Sequence, residues 1–155
     1  MSDPSGVPRI ADLLRTPYQA VMAHVTDQIR ADFPDLRPAH LIVFQVIEHP
    51  PAGSRLTDLA EQAQVTVQSM GELVDALEVR GYVERIPDRT DRRVKRIRLT
   101  ERGWAAHERG GAIIAAIQAE WAGRLGDAKL EQLLALLREL YDDLRSRADR
   151  PGAAH

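Results

Sequence analysis

Most of this chain repeats its apolar residues at spacings of three and four, the period of a helix that buries one face. Tyr18, Val21, Met22, Val25 and Ile29 keep that period to about Asp32. Thr16-Pro17-Tyr18-Gln19 resembles its start, with Thr as N-cap, Pro at the first helical position and Gln three residues after the cap. Leu41, Val43, Phe44 and Ile47 mark a second helix over 37–48, ended by His49-Pro50-Pro51-Ala52-Gly53-Ser54. Leu56, Leu59, Ala60 and Ala63 share one face of a short third helix, and Gln64-Val65 forms a tight turn after it. Thr66 then caps a fourth helix over 67–80 that stops at Gly81. Met70, Leu73, Val74 and Leu77 form its apolar stripe, and Gln68, Ser69, Glu72 and Asp75 lie opposite.

The helical period then lapses. Residues 82–86 and 94–99 read as two short strands joined by Pro87-Asp88-Arg89-Thr90-Asp91-Arg92-Arg93. After them Thr100 caps a long helix with Trp104, Ile114, Ile117, Trp121 and Leu125 on its apolar side, and Arg109-Gly110-Gly111 predicts a bend in it. Gly126-Asp127 breaks the pattern, and Leu130, Leu133, Leu134, Leu137, Leu140, Tyr141 and Leu144 stripe a last helix. The expected fold is therefore mainly α with a small β-hairpin.

Charge sharpens this picture at one place. Residues 80–102 hold nine cations (Arg80, Arg85, Arg89, Arg92, Arg93, Lys95, Arg96, Arg98, Arg102) against four acids (Glu84, Asp88, Asp91, Glu101), while the 155-residue chain has a net charge of -2. A cationic hairpin tip in an acidic protein suits a polyanion, because Arg and Lys displace counterions from phosphate. The helix pair just before it points the same way. Two helices joined by a short turn can place the second in a DNA major groove with its N-terminal residues leading. Thr66, Val67, Gln68 and Ser69 occupy that leading turn. Gln can pair bidentately with adenine, and Ser can bond a base or a phosphate.

Residues 55–103 resemble the winged helix-turn-helix of the multiple-antibiotic-resistance regulator (MarR) family. Leu56-Thr57-Asp58-Leu59-Ala60, Leu73-Val74-Asp75-Ala76-Leu77-Glu78 and Gly81-Tyr82-Val83-Glu84-Arg85 carry the resemblance. So do the wing run Asp88-Arg89-Thr90-Asp91-Arg92-Arg93 and the closing Leu99-Thr100-Glu101-Arg102-Gly103. These motifs cover about a third of the chain closely and most of the rest by helix order. The resemblance implies that Arg93 enters the minor groove and that Asp91 holds it; otherwise Asp91 only stabilises the turn. Arg55, Arg89, Arg92 and Lys95 join the expected DNA contacts. Glu72 and Asp75 depart from the many relatives that carry neutral or basic residues there. They either accept from cytosine amino groups or face away after the first turn.

The resemblance also implies a homodimer held by terminal helices, here 9–33 and 104–147, around a DNA-binding unit at 34–103; the polar, proline-bearing residues 1–8 and the residues 148–155 are expected to be flexible tails. The two apolar terminal stripes support the same expectation. A small aromatic effector would lodge where the first, second and fifth helices meet the reading unit, against Tyr18, Val21, His40, Phe44, Trp104 and His107. No cysteine is present, so neither a disulfide nor a thiol switch is available. No run approaches eighteen apolar residues and no signal-peptide core begins the chain, so a soluble cytoplasmic protein is expected. No catalytic, cofactor or metal-binding constellation is expected, since the histidines lack clustered spacing with acids. The expected function is a dimeric regulator, a repressor of neighbouring genes, on a near-palindromic duplex operator. The alternative is a winged-helix protein-interaction module without sequence-specific DNA binding.

Overall fold

The computed structural model describes residues 9–47 and 53–148. The expected tail at 1–8, that at 148–155 apart from Ala148, and the stop signal at His49, Pro50, Pro51 and Ala52 lie outside the described residues. The chain divides into two compact units, 1–114 and 115–155.

The first unit opens with α1 (Ile10–Asp32). It does not begin at Thr16: Pro17 sits inside the helix, and Arg9, in extended conformation, is the residue before its first turn. Proline inside a helix forfeits one hydrogen bond. The helix nevertheless forms upstream of it, where Ile10, Leu13 and Leu14 carry the apolar spacing back and Asp12 pairs with Arg15 at 2.5 Å. The second helix, by contrast, is shorter than expected. A 3-10 turn, Pro38–His40, leads into α2 (Leu41–Val46), and Ile47 is already extended. The Arg37 N–H donates to His40 Nδ1 at 3.1 Å and fixes that entry.

The helix pair forms as the spacing predicts, α3 at Leu56–Ala63 and α4 at Val67–Val79. Gln64 closes α3 in the left-handed region (φ 54°), and the Val65 N–H donates to the Ala60 carbonyl at 3.0 Å. Thr66 is the N-cap of α4, accepting from the Ser69 N–H at 3.0 Å. The hairpin strands are β2 (Val83–Pro87) and β3 (Lys95–Leu99), antiparallel with Arg85 opposite Ile97. A third strand, β1 (Ser54–Arg55), adds to the free edge of β3, giving the order β1-β3-β2. Two residues are too few to show a period, so the sequence gives no sign of it.

Leu59, Met70, Val74, Leu77, Val43, Tyr82, Val83 and Ile97 are buried together. Each such apolar side chain contributes about 1.5–3 kcal/mol by leaving water. They join α2, α3, α4 and the sheet into one body and fix the wing relative to α4.

The helix α5 (Glu101–Leu125) starts where Thr100 Oγ1 accepts from the Gly103 N–H at 3.1 Å. A Cβ on Gly103 would stand 2.0 Å from the Tyr82 carbonyl oxygen. That approach sets the rotation of the helix, so Gly103, Ala106 and Ile113 are buried while Trp104 and Ile114 of the expected stripe are partly exposed. The helix continues through Gly110-Gly111 without interruption. In the second unit, Gly126 (φ 88°) separates the end of α5 from α6 (Asp127–Ala148). Leu130 is buried, and Leu133, Leu136, Leu137, Leu140, Tyr141 and Leu144 are exposed along α6.

Candidate nucleic-acid interface

Thr66, Val67, Gln68 and Ser69 are all exposed on the first turn of α4. Thr66 Oγ1 and Ser69 Oγ lie 2.9 Å apart, so the cap that starts the helix also orients one candidate reader. Gln68 Nε2 donates to Glu72 Oε1 at 3.4 Å, which couples the amide to the acid one turn on. Asp75 is committed elsewhere: Arg85 of β2 donates to it at 2.6 Å and also pairs with Glu78. Of the two acids that depart from the family pattern, Asp75 is thus neutralised within the chain.

The wing is organised by Asp88, a residue with no expected role of its own. Its carboxylate is only 3% exposed. Oδ1 accepts from the Thr90 N–H at 2.8 Å, the Thr90 hydroxyl at 2.7 Å and the Asp91 N–H at 3.2 Å. Oδ2 accepts from Arg96 Nε, and Arg55 stands 3.9 Å away. Arg96 also donates to the Gly53 carbonyl at 2.9 Å. The Thr90 hydroxyl, then Arg96, then the two backbone donors hold the Asp88 carboxyl well below the usual carboxylate range. One anion therefore ties the turn to β3 and to the residues before α3. The readable signal was an Asx-turn, an Asp whose side chain caps the backbone two residues on.

Beyond that anchor the tip is open. Arg89, Asp91, Arg92, Arg93 and Lys95 are exposed, the Arg93 side chain by 96%. Asp91 Oδ1 accepts from the Arg93 N–H at 3.0 Å and lies 3.7 Å from Arg93 Nε. The carboxylate thus restrains both the backbone and the guanidinium of Arg93. All the expected DNA contacts, Arg55 and Glu72 included, are solvent-facing.

Behind the reading unit, Tyr82 packs edge-on against Phe33 and Phe44, with centroids 6.0 and 6.1 Å away. Its hydroxyl donates to Asp35 Oδ1 at 2.6 Å. Arg102 lies 4.3 Å over the ring and donates to both Asp35 oxygens at 3.1 Å. The tyrosine hydrogen bond, with help from Arg102, lowers the Asp35 pKa, while burial and then Asp35 raise that of Tyr82. This cluster joins the loop after α1 to the start of β2 and of α5.

The six residues expected around a ligand do not share one cavity. Tyr18 lines an open groove of about 730 Å³ between α1, α2 and the turn before α4, with Met22, Ile42, Gln45, Val65 and Leu73. Phe44 and His107 line a smaller cavity of about 230 Å³ with Val25, Ile29, Leu36 and Ile114. Met22 and Gln45 border both. Val21, His40 and Trp104 line neither. His40 is buried and its Nδ1 is occupied by Arg37, and burial followed by the Arg80 and Arg37 charges lowers its pKa. Trp104 stands edge-on to His107 at 5.7 Å. Among the described residues no cluster of metal-ligating side chains occurs, and no helix is long and apolar enough to cross a membrane.

Residues 34–94, from the loop after α1 through the wing tip, match the MarR_2 model of the MarR family. Over those residues the winged-helix unit is similar to that of the MarR family. A MarR-family transcriptional regulator from Rhodococcus sp. RHA1 is 25% identical, with a TM-score of 0.68 over 84% of this chain and 91% of that one. Two others show the same fold. FabT of Streptococcus pneumoniae, solved in complex with DNA, is 20% identical, with a TM-score of 0.71 over 89% of this chain and 96% of its own. CouR from Rhodococcus jostii RHA1, bound to p-coumaroyl-CoA, is 24% identical, with a TM-score of 0.70 over the full length of both chains. The chain thus has the fold of MarR-family transcriptional regulators, mainly α with a three-stranded wing.

Proposed function

We propose that this protein binds a near-palindromic duplex operator as a homodimer and represses neighbouring genes until a small aromatic ligand releases it. The observation that carries the reading is the pairing of two exposed elements on one rigid body. One is the polar leading turn of α4, and the other is a wing tip whose Arg93 is restrained by Asp91 and exposed by 96%. In this reading Thr66, Val67, Gln68 and Ser69 face base edges. Arg55, Arg89, Arg92 and Lys95 face phosphates, and Arg93 reads minor-groove width. Glu72, tied to Gln68, fixes the amide that reads. The DNA complex of FabT supports this placement.

The groove bordered by Tyr18 and the cavity bordered by Phe44 and His107 offer flat apolar surface beside the reading unit. That CouR holds p-coumaroyl-CoA supports an aromatic ligand for this fold. A ligand that releases DNA a hundredfold must favour the unbound conformation by roughly 2.7 kcal/mol.

The test is fluorescence anisotropy with the DNA upstream of the gene, at two salt concentrations, followed by titration with a panel of phenolic acids. Binding should weaken steeply with salt, and Gln68→Ala should flatten preference at one base pair in each half-site, a bidentate pair being worth about 1–3 kcal/mol. One phenolic acid should release the duplex, and Phe44→Ala should abolish that release. An unchanged motif in a binding-site selection with Gln68→Ala removes Gln68 as a reader. Indifference to the whole panel removes the aromatic effector.

A further inference from the structure

Most arginines of the first unit already meet a carboxylate, from Arg15 with Asp12 to Arg109 with Asp32. Among its described residues the cations outside such pairs are Arg9, the wing residues Arg89, Arg92 and Lys95, and three more: Arg30, Arg37 and Arg80. Those three come from the end of α1, the loop after it and the C-terminal end of α4, yet they line one cleft of about 420 Å³. We propose that this cleft is a binding site for a phosphate-bearing small molecule, held by Arg30, Arg37 and Arg80.

Like charges gathered on one cleft repel, and an oxyanion relieves that repulsion while accepting from guanidinium forks. The acid in the lining, Asp35, does not serve this purpose. Its oxygens are engaged by the Tyr82 hydroxyl at 2.6 Å and by Arg102 at 3.1 Å. Arg80 spends one donor on the Ala76 carbonyl, at 2.7 Å, which fixes its stem and leaves further N–H groups for a ligand. The buried His40 reports the same field, since Arg80 and Arg37 add to burial in keeping it neutral.

The size and place of the cleft favour a free ligand over operator phosphate. Its volume lies within the usual small-molecule range of about 300–1,000 Å³, more room than inorganic phosphate alone needs. Arg80 follows the last residue of the 13-residue α4, about 20 Å along the axis from the leading turn.

The experiment follows the arginine Nε–Hε signals of the full chain by NMR during titration with inorganic phosphate, ionic strength being held constant with sodium chloride. Saturable shifts of Arg30, Arg37 and Arg80, with Arg109 unmoved, are expected. Arg37→Met and Arg80→Met should each weaken the phosphate response about tenfold, the loss typical of a charged hydrogen bond. Arg30→Met, at an exposed position, should weaken it without disturbing the circular dichroism melt, which separates site loss from misfolding. A second arm adds duplex operator without phosphate. If only the duplex shifts these signals, and Arg37→Met lowers the salt slope of DNA binding by about 0.9, the cleft takes a DNA phosphate and the small-molecule site is overturned. Equal shifts with chloride, or none that saturate, overturn it as well.

Discussion

In the proposed reading, Arg93 makes a DNA contact and Asp91 supports it. Arg93 projects into solvent, so its substitution leaves the core untouched, and Asp91 restrains it through one backbone hydrogen bond and one ion-pair contact to the same oxygen. Arg93→Ala is expected to weaken operator binding far more than Arg109→Ala, whose side chain is paired with Asp32 on α5. The loss should be largest on operators with A·T-rich flanks, where a narrow minor groove carries enhanced negative potential. Asp91→Ala should give a smaller loss of the same kind. Anisotropy on flanks of differing composition checks this, and equal losses on all flanks would reduce the wing to a phosphate contact. Asp88 makes a different prediction. Its carboxyl, like that of Asp35, is held below the ordinary value in the folded chain. The unfolded chain therefore binds protons first, and the stabilisation is complete above about pH 4 and lost as pH falls through the folded values. Asp88→Asn should remove part of that acid sensitivity, read as a flatter dependence of the melting midpoint between about pH 4 and 2.

The elements differ in how openly the sequence announces them. The caps at Thr66 and Thr100, the stop at Gly81 and the stripe on α4 are local signals, and each sits in the structure where its spacing predicts. The start of α1 and the rotation of α5 are not local. Thr16-Pro17 has the chemistry of a helix start, yet the helix runs through it. The face α5 buries is chosen by Gly103 against the Tyr82 carbonyl, a contact across 21 positions of sequence that no period encodes. The candidate site divides in the same way. Gln68, Ser69 and Arg93 are legible because residue type and position suffice to nominate them. Asp88 acquires its role only when Arg96 and Arg55 converge on it, and His40, expected as a ligand contact, has its Nδ1 taken by its own turn. The Gly103 contact can be tested directly. Gly103→Ala must push the start of α5 from Tyr82, at a cost of about 1–3 kcal/mol typical of overpacking. Denaturant midpoints should show that loss, whereas Gly110→Ala, with open space at its Cβ, should stabilise by about 0.5–1 kcal/mol.

Each unit, taken by itself, leaves apolar surface that a monomer has no reason to expose. In the first, Ile10, Leu13, Leu14 and Tyr18 are exposed along α1; in the second, Leu133, Leu136, Leu137, Leu140 and Leu144 are exposed along α6. Faces of this extent mark association sites in soluble proteins, and a second copy of the chain supplies a matching face by symmetry. A two-fold dimer would also present two α4 helices, which suits half-sites about one helical turn apart, roughly 34 Å. We therefore expect a homodimer at micromolar concentration by sedimentation. Leu136→Glu with Leu140→Glu should shift it towards monomer by burying charge in the shared face. Because both half-sites are then no longer engaged as a unit, affinity for the full operator should fall by about 10²–10⁴. Affinity for an isolated half-site should barely change, since both substitutions lie on α6 and the readers on α4. A monomeric variant that keeps full affinity for the palindrome would show that the apolar faces serve another purpose and that each winged helix reads alone.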